Sequence, residues 1–138
     1  MSKRTFARMT LGLAAMLALA GAARAQSAPE PYVALISKGF QHQFWQAVKT
    51  GAEKAGQDYH VRVTFEGPET EAMVDKQIDM LAAALARKPS ALGFAALDSQ
   101  AAIPLLKKAQ AQHIPVIAFD SGVDSTIPVT TAATDNKA

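Results

Sequence analysis

The chain has 138 residues, with 14 Lys+Arg, 12 Asp+Glu and no cysteine. Its net charge of +2 comes from the start: Lys3, Arg4, Arg8 and Arg24 fall in the first 25 residues, and the remainder carries 10 basic residues against 12 acidic ones. That balance gives no electrostatic footprint for a nucleic-acid partner. The absence of cysteine excludes disulfides and a lipid anchor on Cys, so packing must hold the folded part.

Residues 1–25 have the three parts of a cleavable export signal. A basic start (Lys3, Arg4, Arg8) precedes an apolar run over residues 11–20, and Ala23-Arg24-Ala25 fits the small-residue cleavage rule. The run is too short to span about 30 Å of hydrocarbon as a helix, so no stable membrane insertion is expected after cleavage, and the destination is the periplasm. Residues 26–30 form a short linker. The folded part is expected over residues 31–138.

From there apolar β-type runs alternate with helical patterns. Tyr32-Val33-Ala34-Leu35-Ile36 is a first strand whose unbroken apolar run fits a sheet covered on both faces. Over residues 43–57, Phe44, Val48, Ala52 and Ala55 recur at helical spacing. Val61-Arg62-Val63-Thr64-Phe65 alternates apolar with polar, as an edge strand with one wetter face does. After Gly67-Pro68, the stripe Val74, Ile78, Leu81, Leu85 marks a second helix, ended by Lys88-Pro89.

Ala91-Leu92-Gly93-Phe94-Ala95-Ala96-Leu97 reads as a buried third strand. Ile103, Leu106 and Ala109 mark a third helix, with Pro104 confined to its first turn. Val116-Ile117-Ala118-Phe119 is a fourth strand and Val129-Thr130-Thr131-Ala132 a short fifth. The fold class is therefore α/β. Right-handed crossovers favour a doubly wound parallel sheet in the order 2-1-3-4-5. In that order the first helix alone covers one face, and Asp135-Asn136 reads as the cap of a further helix, so sequence is expected to be missing.

Ligands of an open parallel sheet bind beyond the carboxyl ends of its strands, at the switch point between strands one and three. That rule nominates residues 37–45, 66–67, 98–99, 120–121 and 134–136. The first loop has Gly39 alone where a dinucleotide binder needs G-x-G-x-x-G. It carries Phe40, Phe44 and Trp45 among Lys38, Gln41, His42 and Gln43, a mixture of ring faces and polar groups that suits a sugar.

Phe44 and Trp45 differ by about 100° on a helix, so they cannot both face the core. The plainer reading puts Phe44 in the core and Trp45 as a lid over the helix start. Asp120 either accepts ligand hydroxyls or makes an Asx turn into Ser121-Gly122. Lys38 either donates to a ligand oxygen or is a solvated strand-end lysine. Asp98-Ser99 suits the capping of free N–H groups before the third helix.

Catalysis fares worse. His42, His60 and His113 are far apart with no paired carboxylates at ligand spacing, so no metal site is expected. No Gly-x-Ser-x-Gly elbow occurs, and a phosphate-accepting domain would have acids where Ser37-Lys38 stands. The pattern is that of a binding protein without cofactor.

The whole of residues 31–138 resembles the periplasmic sugar-binding proteins of the ribose/galactose type, which share their fold with the ligand domains of LacI-type repressors. The matching stretches are Tyr32-Val33-Ala34-Leu35-Ile36-Ser37, the Phe44-Trp45 pair followed by Gly51-Ala52, and Ala96-Leu97-Asp98-Ser99. Ile114-Pro115-Val116-Ile117-Ala118-Phe119-Asp120-Ser121 and Ala133-Thr134-Asp135-Asn136 complete them. The resemblance implies one truncated N-terminal lobe of a two-lobed, hinge-closing receptor, with the second lobe absent. It implies a sugar-like ligand and, as partner, the membrane permease of an ABC importer.

Carried over by position, Phe44 and Trp45 match the family's stacking aromatics, and Asp120 the acid that takes ring hydroxyls. His42 falls where ribose binders have Asn and Ser121 where they have Arg, which points away from ribose. Lys38, Phe65-Glu66-Gly67-Pro68 and Asp120-Ser121 are similar to the autoinducer-2 and rhamnose-type branch, in which a lysine after strand one reaches the ligand. A receptor serving chemosensing or autoinducer-2-type signalling is the alternative function. A repressor would carry a helix-turn-helix in place of the export signal.

Overall fold

The computed structural model describes residues 29–135. The expected export signal, most of the linker and Asn136 lie outside the described residues. The elements run β1 (Tyr32–Ile36), α1 (Gln43–Tyr59), β2 (Arg62–Glu66), α2 (Val74–Ala86), β3 (Ala91–Phe94), α3 (Ile103–Ala111), β4 (Val116–Phe119) and β5 (Thr130–Ala132). All strand pairs are parallel, in the order β2-β1-β3-β4-β5. The doubly wound sheet expected from the sequence is the one found, with the alternating β2 at an edge.

The two faces of the sheet are covered unequally. Ala34, Ile36, Leu92, Phe94 and Val116 are all buried, and join Leu81, Ala84, Leu85 and Leu106 of α2 and α3 in one core. Alternate residues of the same strands point the other way. There α1 packs on β2, at one side of the sheet, and cover thins toward β4, where Ile117 is 41% exposed. No helix of the described residues is long and apolar enough to cross a membrane.

Local chemistry sets the helix ends. His42 caps α1, its side chain accepting the Phe44 N–H. Pro104 sits in the first turn of α3, where a missing N–H costs nothing. The chain leaves the three helices through left-handed residues, none of them glycine: His60 (φ 53), Lys88 (φ 51) and His113 (φ 57).

Two expectations need correction. The inward face of α1 is Trp45, Val48, Ala52 and Gly56, while Phe44 and Ala55 are exposed. Burying the larger indole removes more apolar area from water. The same rotation brings Gly56 against β2, where a Cβ would stand 2.8 Å from the Val61 carbonyl oxygen. Only a glycine lets α1 lie so close. Secondly, β3 ends at Phe94 rather than Leu97, because the strands part after the Ala95 N–H reaches the Ile36 carbonyl at 2.9 Å.

Candidate functional site

Beyond the carboxyl ends of β1 and β4, the structure brings together five of the seven residues nominated from the sequence. Lys38 leaves the end of β1 and its Nζ lies 2.8 Å from Asp120 Oδ2, with 20% and 30% of the two side chains exposed. Ser121 Oγ donates to the same carboxylate oxygen at 3.0 Å. The Lys38 ammonium is also 6.0 Å from the centre of the Trp45 ring. Trp45 meets Phe44 edge-on at 4.8 Å between centroids and Phe119 at 6.3 Å.

Asp120 holds φ 60, a left-handed conformation unusual outside glycine and best tolerated by Asp and Asn. Its N–H donates to the Ala132 carbonyl at 2.9 Å, fixing the turn against β5. The carboxylate is thus held at the crevice by its backbone on one side and by an ammonium on the other. Strained residues of this sort persist where the surroundings over-determine them. The pair sits partly in solvent, so a polar ligand can compete for both charges.

The aromatic pair is arranged opposite to the plainer expectation. Trp45 is 1% exposed and serves as the packed floor, whereas Phe44 is 47% exposed and offers its ring to solvent. The indole N–H donates to Glu71 Oε1 at 2.9 Å, so its polar edge is also engaged. In this arrangement Trp45 supports the site and Phe44 presents the free ring face.

The remaining two nominees, His42 and Asp98, have local partners. His42 is occupied in capping α1. Asp98 Oδ1 accepts the N–H groups of Gln100 and Ala101 at 2.9 and 2.7 Å, and these two bonds hold its carboxyl below the usual aspartate value. The capping expected there is a turn before α3, whose own N-cap is Ala102. Ser99 Oγ instead donates to Asp124 at 2.8 Å, tying this turn to the loop after β4.

Glu71 went unnoticed in the sequence because the switch-point rule stops at Glu66-Gly67, while the loop runs on to α2. What folds it back is Gly67: a Cβ there would lie 2.2 Å from Ser37 Oγ. A shallow groove at the opposite end of the sheet, lined by Glu30, Glu53, His60 and Val63 among others, contains none of the nominated residues. Among the described residues no group of three or more His, Cys, Asp or Glu is placed to hold a metal ion.

Residues 33–138 match the periplasmic binding protein domain model, and the chain belongs to that family. It is 27% identical over 129 residues to the D-ribose/D-allose-binding protein of Pseudomonas aeruginosa, covering 91% of this chain and 40% of that one. Among solved structures it is similar to a carbohydrate transporter solute-binding protein of Agrobacterium radiobacter in complex with D-arabinose. That match has 34% identity and a TM-score of 0.74, over 80% of this chain and 37% of the other. An ABC transporter solute-binding protein of Agrobacterium vitis with bound D-fucose gives 34% identity and a TM-score of 0.71, over 77% and 38%. The chain spans about two fifths of the length of these relatives. Family and relatives alike are binding proteins.

Proposed function

We propose that the chain forms the first ligand-binding lobe of a periplasmic receptor that takes a sugar or sugar-like molecule and delivers it to the permease of an ABC-type importer. The observation that carries this reading is the partly exposed Lys38–Asp120 pair near the Trp45 indole, against which the exposed ring of Phe44 packs, at the sheet edge where the fold binds ligands. A sugar offers hydroxyls to the carboxylate, ring or hydroxyl oxygens to the ammonium, and a C–H face to the aromatic ring. Relatives that hold D-arabinose and D-fucose support the same chemistry. The role is binding without catalysis or cofactor.

Export through residues 1–25, with the mature chain starting at Gln26, belongs to this reading. Calorimetric titration of the full-length protein with D-ribose, D-allose, D-arabinose and D-fucose tests it. Saturable binding of at least one is expected, and no heat with any of the four counts against a sugar ligand. N-terminal sequencing of the exported protein tests the location, where an intact Met1 would refute cleavage.

A further inference from the structure

Only two polar side chains are buried among the described residues, Ser37 and Gln77, at 0% and 1% exposure, and they meet at the point where β1 and β3 part. Gln77 lies on the inward side of α2, one turn before Leu81. Its Nε2 donates to the carbonyls of Ser37 at 2.9 Å and Ala95 at 2.8 Å. Its Oε1 accepts the Leu97 N–H at 3.1 Å. No buried side-chain nitrogen or oxygen of the described residues lacks a partner.

The two groups just past β3 that this amide holds are those that one residue of a neighbouring parallel strand would engage if both strands ran on. Such a residue donates to the carbonyl before the position it faces and accepts from the N–H after it. Ala95 O and Leu97 N flank Ala96. The β1–β3 register, in which Ile36 faces Phe94, places Lys38 opposite Ala96 when extended by two residues. Lys38 is not there. Pairing of β1 with β3 stops at Ile36. The Ser37 N–H still continues the β2 ladder by donating to the Glu66 carbonyl at 2.8 Å, and the chain then bends at Lys38, with Ser37 Oγ donating to the Gly39 carbonyl at 2.7 Å.

We infer that Gln77 is a positioning residue whose side-chain amide takes the place of the Lys38 peptide in the sheet, which frees Lys38 to leave β1 and carry its ammonium to Asp120. The inference rests on the sugar-binding reading for its consequence and on geometry alone for the substitution itself. Without the amide, the Ala95 carbonyl and the Leu97 N–H, just past β3, and the Ser37 carbonyl lose their partner. Pairing by the Lys38 backbone would then repair the loss, and it moves the ammonium from the crevice.

The test uses the full-length protein with Gln77→Met, close in size but without polar atoms, and Gln77→Glu, which keeps the acceptor for Leu97 and retains at most one of the two donors, the O–H of a protonated acid. Amide hydrogen exchange is followed alongside titration with D-ribose, D-allose, D-arabinose and D-fucose. Leu97 is expected to lose protection in Gln77→Met and to keep it in Gln77→Glu, while Leu92 and Val116 in the central strands stay protected in both. Both variants are expected to bind sugar at least about tenfold more weakly, the equivalent of one buried unsatisfied group.

In the unaltered protein the Gln77 side-chain amide protons should exchange far more slowly than those of exposed glutamines, a measurement that needs no variant to fold. Unchanged protection of Leu97 in Gln77→Met overturns the inference. So does a uniform loss across the lobe with unchanged affinity in the folded fraction. If the wild type binds none of the four sugars, the sugar reading falls, and the exchange pattern alone still decides the role of Gln77.

Discussion

Replacing Trp45 and Phe44 separately by alanine distinguishes support from contact at the site. Trp45 is the largest fully buried side chain of the described residues. It packs on Phe119 and Phe44, closes over Gly39, and satisfies its N–H on Glu71. Truncating such a residue costs about 3–5 kcal/mol, from lost transfer energy and the cavity left behind. The loss of the indole–Glu71 hydrogen bond adds about 1 kcal/mol at most, since Glu71 is exposed and returns to water. Trp45→Ala is therefore expected to show mainly as a lowered unfolding midpoint in urea.

Phe44 is 47% exposed, so Phe44→Ala has less packing to lose, about 1 kcal/mol of stability. Its main effect is expected on ligand affinity, a loss of about 1–2 kcal/mol if a sugar C–H face covers the ring. Urea melts and calorimetry on both variants separate the two effects. The reasoning is refuted if Trp45→Ala keeps the wild-type midpoint but loses sugar affinity while Phe44→Ala binds normally. That result would mean the indole turns out to meet the ligand.

Three further outcomes follow from individual contacts. Asp120→Asn keeps a side chain suited to the left-handed backbone at φ 60 but removes the charge; sugar affinity measured by calorimetry should fall by about 1.5–3 kcal/mol, one charged hydrogen bond, and an unchanged value would remove Asp120 from the site. Gly67→Ala forces a methyl to within 2.2 Å of Ser37 Oγ; a destabilisation of about 1–3 kcal/mol is expected, and a wild-type urea midpoint would contradict the close approach of the two loops. Asp98 is held below the usual aspartate value by the Gln100 and Ala101 N–H groups. Its contribution to the turn is thus present above the unfolded pKa and is lost as pH falls through the lower folded one. Titration of its carboxyl carbon by NMR should show that depressed midpoint, and one at about 4 or above would argue against the turn.

What could be read from residues alone, and what could not, divides on physical lines. The α2 stripe Val74, Ile78, Leu81, Leu85 marks the side of the helix that carries the buried Leu81 and Leu85, and the alternation in β2 marks it as the edge strand it is. Helix α1 misleads because its pattern is weak: the decisive inward residues are a tryptophan and a glycine, and periodicity of apolar residues does not count Gly56. The end of β3 was hidden because Ala95, Ala96 and Leu97 remain apolar after the strand has parted from β1. Likewise His60, Lys88 and His113 carry the left-handed turns where glycine is the usual signal.

The site follows the same division. Lys38 and Asp120 were legible as strand-end polar residues, since topology alone brings the ends of β1 and β4 to one edge. Their union as an ion pair was not legible, because it depends on where β1 stops pairing. That stop has a sequence signal after all. Gln77 lies four residues before Leu81, on the side of α2 that the stripe marks as buried, and a buried amide must find partners. It finds them at the Ser37 and Ala95 carbonyls and the Leu97 N–H, past the point where β1–β3 pairing ends. Gln77 on the dry face of the second helix thus marks the place where β1 and β3 part, beside the lysine that reaches Asp120.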